Sequence, residues 1–180
     1  MNSKAKTKAI FLDRDGVINI DKQYVSKIED FEFTEGIFDL LKYFQDLGYL
    51  LIVITNQSGI GRGYYTLEDF KTLTEWKLSR LSAEGIMIHE VYYCPHSPES
   101  LCSCRKPSPE MLLRAKEKYD IDMRNSWMVG DKGTDIEAGK KAGVGKTVFI
   151  ASSPAVTNTF GADFVISDVR ELKQLVAREN

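Results

Sequence analysis

The sequence predicts an α/β fold with a Rossmann-like parallel sheet and helices on both faces. Short apolar runs recur along the 180 residues, stretches of helical spacing separate most of them, and the connections are short. A parallel crossover needs a helix to return the chain, and near-continuous apolar strands indicate burial on both faces. With no internal repeat or clear linker, we expect a single domain over residues 1–180, without a large cap domain.

Six apolar runs have the length and composition of buried strands. Each is followed by a turn-forming or polar stretch, which sets its carboxyl end. The predicted strands cover residues 9–12, 49–55, 88–93, 126–130, 146–150 and 163–166.

Two helices are predicted before the third strand. The first covers residues 37–47, where apolar residues fall at helical spacing, and Gly48 is placed to end it. The second begins at Thr66, with Leu67 among its expected core residues. These helices supply the crossovers that a parallel sheet needs.

Three more helices are predicted in the second half of the chain. Ser108 is a good helix cap, and the proline that follows it is a good first helical residue. Thr134 with Glu137 has the spacing of a capping box, and Gly143 is placed to end that helix. The last helix is predicted over residues 168–178.

Composition indicates an ordinary globular protein with a small-molecule partner. Hydrophobic residues make up 43% and charged residues 28%, and the net charge of -2 gives no general attraction to nucleic acid or to an anionic membrane. Only four apolar residues precede Asp13 after the basic N-terminus, too few for a signal segment or a membrane span. We therefore expect a cytoplasmic protein that acts as a monomer.

Polar side chains follow each of the first four predicted strands. Taken singly, each group has a structural explanation as turn or loop chemistry. The carboxyl ends of parallel strands, however, meet at one edge of the sheet, where ligands bind. We therefore expect seven residues to gather there: Asp13, Asp15, Thr55, Asn56, Lys106, Asp131 and Asp135.

The chemistry of that set indicates phosphoryl transfer. Clustered carboxylates repel one another unless a hard cation neutralises them, and oxygen ligands are those that Mg²⁺ prefers. Lysine, hydroxyl and amide groups supply the donors that phosphoryl oxygens require. The simplest mechanism is attack by Asp13 on phosphorus, followed by hydrolysis of the aspartyl phosphate.

All three cysteines and one histidine lie in a short segment, at about residues 94–104. Cys94, His96, Cys102 and Cys104 form the pattern C-x-H-x5-C-x-C, a Cys₃His set suited to tetrahedral zinc. The segment is too polar for three buried hydrophobic cysteines. Four protein ligands leave no open position, so the zinc is expected to be structural. His89 lacks a ligand pattern and is expected to be structural.

Four stretches resemble, in order and spacing, the motifs of the haloacid dehalogenase-like phosphatases: FLDRDGVI, ITNQSGIGRG, CRKP and MVGDKGTDIEAG. Within that superfamily the chain is most similar to the heptose-bisphosphate phosphatase group, through YVSKIEDFEF, LTEW, CPH and IDMRNSWMVGDK. The resemblance implies a Mg²⁺-dependent hydrolase. It would remove the C7 phosphate of D-glycero-D-manno-heptose 1,7-bisphosphate in the biosynthesis of nucleotide-activated heptose for lipopolysaccharide or surface glycans.

The resemblance also implies roles for individual residues. Asp13 would be the nucleophile and a magnesium ligand, and Asp131 would complete the metal site. Asp15 would bind magnesium through its backbone carbonyl and serve as general acid and base through its side chain. Asp135 is left open between metal support and a first-turn helix acid. The transferring phosphoryl oxygens would be held by Thr55, Asn56 and Lys106.

Substrate recognition is expected from residues outside the catalytic motifs. Arg105 is the candidate for the non-reacting phosphate, because a guanidinium fork matches it well; the alternative is that Arg105 only pairs with a surface acid. The resemblance implies further substrate contacts from Arg14, Asp21, Lys22, Gln23, Tyr24, Asn56, Gln57, Ser58 and Lys132.

Three alternatives remain open at this point. Histidinol-phosphate phosphatases belong to the same superfamily, and the short x5 spacing of the zinc segment resembles theirs. A signalling receiver domain also has an acidic magnesium site, but its acceptor aspartate follows the third strand, where this chain has cysteines. A non-catalytic zinc interaction module is the third. The preferred anomer of the heptose is also left open.

Overall fold

The computed structural model describes residues 6–151, 153 and 157–179. Within them, six strands form one sheet in the order β3-β2-β1-β4-β5-β6, and every pairing is parallel. The predicted fold class is confirmed, and the strand ends shift by one residue at most. Residues 1–5, part of the N-terminal segment considered above, lie outside the described residues. The strands are β1 (Ala9–Leu12), β2 (Leu50–Asn56), β3 (Ile88–Cys94), β4 (Trp127–Gly130), β5 (Lys146–Ile150) and β6 (Phe164–Ile166).

Helices cover both faces of the sheet. Buried residues of α1, α3 and α6 belong to one hydrophobic cluster, and those of α4 and α5 belong to a second. In the described part of the chain, none of the helices combines the length and apolar character needed to cross a lipid bilayer. The helices are α1 (Ile37–Asp46), α2 (Ser58–Gly61), α3 (Leu67–Ala83), α4 (Glu110–Tyr119), α5 (Gly133–Lys141) and α6 (Glu171–Glu179).

Strand β1 shows how the sheet separates the two clusters. Ile10 and Leu12 pack into the cluster with α1, whereas Ala9 and Phe11 pack into the cluster with α4, and all four are fully buried. Alternate side chains of a strand point to opposite faces. A continuous apolar run is therefore what a central strand between two helical layers requires.

Two details of α3 and α4 differ from the prediction. Thr66 caps α3 in a capping box with Asp69, as its position indicated, but Leu67 is 39% exposed. It occupies the first turn, before the helix reaches the sheet. Helix α4 begins at Glu110, one residue later than predicted. The Ser108 hydroxyl still accepts a hydrogen bond from the backbone N–H of Glu110 at 3.3 Å.

The predicted capping box of Thr134 and Glu137 is wrong. The carboxylate of Asp135 accepts the backbone N–H of Lys132 at 3.0 Å, so the cap of α5 is Lys132, two residues earlier than predicted. Glu137 instead pairs with Lys141 along the exposed side of the helix. Gly143, with φ of +79°, follows the end of α5 as expected.

Candidate active site

The loops that follow β1, β2, β3 and β4 converge because these four strands are neighbours in the sheet. From β1 the chain builds the sheet outward through β2 to β3, and it then crosses back to add β4 on the other side of β1. This reversal is the switch point at which open α/β sheets bind ligands. Carboxylate oxygens of Asp13, Asp131 and Asp135 lie within 4.8 Å of one another. The predicted gathering of acidic groups is therefore present.

Lys106 lies at the centre of this cluster, with only 2% of its surface exposed. Its Nζ contacts Asp13 Oδ1 at 2.7 Å, Asp135 Oδ1 at 2.7 Å and the carbonyl oxygen of Ile54 at 2.6 Å. Asn56 holds its backbone: the amide donates to the Lys106 carbonyl at 3.1 Å and accepts from the Lys106 N–H at 3.0 Å. The end of β2 therefore fixes the segment that carries the lysine.

The acidic cluster is electrostatically crowded. Burial raises the pKa of Asp13 to about 6, against the attraction of Lys106. Burial, with the charge of Asp13 adding to it, raises the pKa of Asp131 to about 7. Asp131 Oδ1 is buried without a hydrogen-bond partner among the described residues. A hard divalent cation would relieve this crowding, so the donor set fits Mg²⁺.

Gly16 allows the Asp131 carboxylate to reach the loop after β1. A Cβ at this position would lie 2.1 Å from Asp131 Oδ2, and the backbone φ is +87°. A side chain here would be strained and would also collide with the carboxylate. The close approach of the two loops therefore depends on glycine.

Asp15 turns away from the other acids and is held by four N–H donors. Arg14 donates to both carboxylate oxygens at 3.0 and 2.7 Å, Asn19 donates at 3.0 Å and Gln57 at 3.1 Å. Burial opposes ionisation, but the charge of Arg14 and these donors hold the pKa of Asp15 below its ordinary value. Arg14 itself is 2% exposed and also donates to the Val25 carbonyl at 2.8 Å. Asn19 is a site residue that was not predicted from the sequence.

A cleft of about 420 Å³ lies beside the acidic cluster, and Lys132, the neighbour of Asp131, is among the residues that line it. Neither Arg14 nor Lys22 lines it, although both were expected to contact substrate: Arg14 is buried against Asp15, and Lys22 pairs with Glu32 at 2.9 Å on the surface. Tyr65 and Thr134 line the cleft without having been predicted. The predicted residues that line it are Asp15, Asp21, Gln23, Tyr24, Asn56, Gln57, Ser58, Arg105 and Lys132.

Charged groups face each other across the rim of the cleft. Lys132 Nζ lies 3.1 Å from Asp21 Oδ2 and so joins the start of α5 to the loop after β1. Arg105 Nη1 is buried without a hydrogen-bond partner among the described residues. Gln23 and Tyr24 have left-handed backbones, with φ of +59° and +52°. An unpartnered guanidinium nitrogen in a polar cleft is suited to an anionic group.

Asp135 has a structural position that the sequence left open. Its side chain is 1% exposed, accepts the Lys132 N–H and pairs with Lys106. A Cβ at Gly130 would lie 2.2 Å from the Asp135 Cβ, so glycine is required for this packing. Asp135 thus both caps α5 and orients the lysine.

The four predicted zinc ligands are brought together. Cys94 Sγ lies 3.6 Å from His96 Nδ1, 3.7 Å from Cys102 Sγ and 3.0 Å from Cys104 Sγ. The Cys94–Cys102 separation is close to the ~3.8 Å sulfur–sulfur edge of a tetrahedron with Zn–S bonds of ~2.3 Å, and the Cys94–Cys104 separation is shorter. Burial and the contact with the Cys104 sulfur raise the pKa of Cys94 to about 12. Crowded thiols of this kind fit a thiolate-binding ion such as zinc.

This arrangement defines a haloacid dehalogenase-like hydrolase. Residues 103–172 match the family model described as HAD-hydrolase-like. The crystal structure of D,D-heptose 1,7-bisphosphate phosphatase from B. bronchiseptica, complexed with magnesium and phosphate, superposes with a TM-score of 0.85 and 25% sequence identity. It covers 97% of this chain and 100% of that chain.

Curated relatives narrow the assignment. D-glycero-alpha-D-manno-heptose-1,7-bisphosphate 7-phosphatase from Campylobacter jejuni is 52% identical, over 81% of this chain and 83% of the relative. D-glycero-beta-D-manno-heptose-1,7-bisphosphate 7-phosphatase from Helicobacter pylori is 51% identical, over 83% of this chain and 87% of the relative. The chain belongs to this family of heptose-bisphosphate phosphatases. These relatives do not favour the histidinol-phosphate, receiver or interaction-module alternatives.

Proposed function

We propose that this enzyme removes the C7 phosphate of D-glycero-D-manno-heptose 1,7-bisphosphate. The relatives' substrates support the sugar, and their names include both anomers, so the proposal covers either one. The observation that carries the proposal is the buried Asp13–Lys106 pair beside a cleft that Asp15 and Arg105 line. A nucleophile, a cation and a proton carrier are thus available to one phosphoryl group.

In the first step, a carboxylate oxygen of Asp13 attacks phosphorus and the bond from phosphorus to the C7 oxygen breaks. Asp15 gives its proton to that oxygen. The pKa of Asp15 is low in the free protein. An incoming phosphate dianion raises it, because a nearby negative charge disfavours the ionised carboxylate. Lys106, Thr55 and the Asn56 backbone N–H donate to the phosphoryl oxygens as negative charge spreads over them.

In the second step, Asp15 takes a proton from water, whose oxygen attacks the phosphorus bound to Asp13. The bond from phosphorus to Asp13 breaks, which releases inorganic phosphate and restores the Asp13 carboxylate. Asp135 keeps Lys106 in place throughout, because it remains paired with the ammonium group. The same side chain therefore serves as acid and then as base.

The proposed magnesium ligands are Asp13, Asp131 and the backbone carbonyl of Asp15. Bound there, the ion would neutralise the repulsion between the acidic cluster and the phosphoryl oxygens. The unpartnered oxygen of Asp131 supports this assignment.

The proposed zinc site is structural and is formed by Cys94, His96, Cys102 and Cys104. It closes the loop that ends immediately before Arg105 and Lys106. An irregular loop gains a fixed backbone from a closed chelate, so the zinc would position both cations. We regard the loop as an insertion in a single catalytic domain over residues 1–180, and the cytoplasm as its place of action.

Phosphate release, measured with Mg²⁺ and both anomers of the heptose bisphosphate beside histidinol phosphate, tests the function. We expect kcat/KM to favour the heptose bisphosphate by ~100-fold or more. The Arg105→Ala variant should lose ~10-fold or more of the preference for bisphosphate over heptose 7-phosphate, because a charge-assisted contact to the second phosphate is removed. Arg114→Ala is the control, since that side chain lies over the Tyr92 ring, 5.6 Å from its centroid. Preference for histidinol phosphate would overturn the proposal.

A further inference from the structure

Tyr65 lines the cleft and is connected to Asp15 through one intermediate residue, Gln57. The Tyr65 hydroxyl donates to Gln57 Oε1 at 2.6 Å, and Gln57 Nε2 donates to Asp15 Oδ2 at 3.1 Å and to Thr55 Oγ1 at 2.8 Å. Tyr65 is 8% exposed and Gln57 2% exposed. The three side chains therefore form a hydrogen-bonded chain largely shielded from solvent.

The direction of each bond follows from the carboxylate. An ionised Asp15 can only accept, so Gln57 must present its Nε2 to it and its Oε1 to the tyrosine hydroxyl. Both amide hydrogens are then used, one on Asp15 and one on Thr55. The Gln57 side chain, which was expected to contact substrate, is instead fully engaged within the protein.

The tyrosine ring is seated on Gly59. A Cβ at position 59 would lie 2.0 Å from a ring carbon of Tyr65, so only glycine admits the ring. The turn is closed by a hydrogen bond from the Tyr64 N–H to the Gly59 carbonyl at 2.9 Å. Burial raises the pKa of Tyr65 to about 12, so its hydroxyl keeps its proton at neutral pH.

We propose that Tyr65 is a positioning residue which, through Gln57, fixes the orientation of the Asp15 carboxyl group. The inference rests on the proposed function, in which Asp15 is the proton donor to the leaving oxygen. Without the hydroxyl, the Gln57 side-chain amide is free to flip, so that Oε1 and Nε2 exchange places and Oε1 faces Asp15. An attraction at Asp15 Oδ2 would then become a repulsion, and the acid would lose one of its four donors.

Leaving-group dependence distinguishes this role from a general structural one. A sugar alkoxide needs a proton to depart, whereas p-nitrophenolate is a good leaving group that departs without one. Because kcat/KM includes only the steps up to release of the leaving group, it isolates the acid step. In Tyr65→Phe, which keeps the ring on Gly59, we expect kcat/KM to fall ~10-fold for the heptose bisphosphate and less than ~2-fold for p-nitrophenyl phosphate.

Two further variants sharpen this test. Tyr64→Phe is the matched control: the neighbouring tyrosine is 61% exposed, and its variant should keep both activities. In a Gln57→Leu background, Tyr65→Phe should add no further loss, because the connection to Asp15 is already broken. Equal losses on both substrates, or no loss on either, would overturn the inference.

A second measurement needs no turnover. Solvent exchange of the Gln57 side-chain amide protons, followed by NMR, should be slow in the wild type and in Tyr64→Phe and ~10-fold faster in Tyr65→Phe. Unchanged exchange would contradict the inference whether or not the enzyme accepts the heptose sugar. If the wild-type enzyme does not hydrolyse the heptose bisphosphate, the proposed function fails. The kinetic comparison is then made with an alkyl phosphate that the enzyme does hydrolyse.

Discussion

At the scale of single residues, Lys77 is an unusual buried amine whose charge interacts with Arg14, Asp15 and Asp13. It lies on α3 with 1% of its surface exposed, and its Nζ has no hydrogen-bond partner among the described residues. Burial, with the positive charge of Arg14 adding to it, lowers the pKa of Lys77 to about 7. Since an unsatisfied buried donor costs free energy, this residue weakens the fold.

Replacing Lys77 with methionine should raise the free energy of unfolding at pH 7 by ~1–3 kcal/mol. The folded protein binds fewer protons at Lys77 than the unfolded chain between pH 7 and 10.5, so this group makes stability rise with pH across that window. Lys77→Met should remove that rise. Urea unfolding at pH 7.5 and 9.5 measures both effects.

The control for this prediction is Lys71→Met on the same helix. Lys71 is exposed, and its nearest acidic partner is Glu68 at 3.9 Å. Its replacement should change stability by less than ~0.5 kcal/mol. A Lys77→Met protein less stable than the wild type would show that the amine has a stabilising partner.

At the scale of elements, the loop of residues 94–104, which carries the proposed zinc ligands, and the short helix α2 fit closely together. A Cβ at Gly61 would lie 2.5 Å from the backbone nitrogen of Ser97 and 2.9 Å from the carbonyl oxygen of Pro95. Arg62 also pairs with Glu99 at 3.2 Å. Helix α2 directly follows the Gln57 that holds Asp15, so the loop supports both sides of the cleft.

Replacing Cys102 with serine should lower zinc content and phosphatase activity together, activity by ~10-fold or more. Loss of a thiolate ligand weakens the chelate and releases the backbone ahead of Arg105 and Lys106. Metal analysis and phosphate release on the same preparation check this. Ser103→Ala, in the same loop, should retain both properties, and a zinc-free preparation with full activity would refute the structural role.

At the scale of the whole molecule, the acidic cluster makes stability depend on pH. The folded pKa values of Asp13, about 6, and Asp131, about 7, both exceed the ordinary value of 3.8. Between pH 4 and 7 the folded protein therefore binds more protons at these groups than the unfolded chain does. Their contribution to stability is complete at low pH and is lost as the pH rises through the folded values.

Magnesium-free protein with its zinc retained should therefore unfold at a lower temperature at pH 8 than at pH 6. A loss of 1 kcal/mol corresponds to ~2–4 °C for a chain of this size. Added Mg²⁺ should reverse the trend, since it binds the ionised cluster. Calorimetry of the wild type and of Asp131→Asn checks this. If the unfolding temperature of Asp131→Asn depended on pH as strongly as that of the wild type, the pH dependence would not come from Asp131.

Much of the fold and the floor of the site could be predicted from local sequence. Asp13, Lys106 and Asp131 were found because each follows an apolar strand, and a parallel sheet brings such positions together. The positions missed depend on docking between distant segments. Tyr64 and Tyr65 are adjacent and chemically identical in sequence, yet only Tyr65 turns inward, onto Gly59.

The sequence by itself determined the α/β class, the strand ends to within one residue and the two clusters of candidate metal ligands, because hydrophobic period and residue spacing are properties of a short segment. Only the tertiary structure decided which partners the polar side chains take. It buried Arg14 against Asp15, gave Asp135 to Lys106, and connected Tyr65 to Asp15 through Gln57. The physical reason is that a hydrogen bond requires a donor and an acceptor within about 3 Å, and segments distant in sequence reach that separation only when the sheet and its helices have packed.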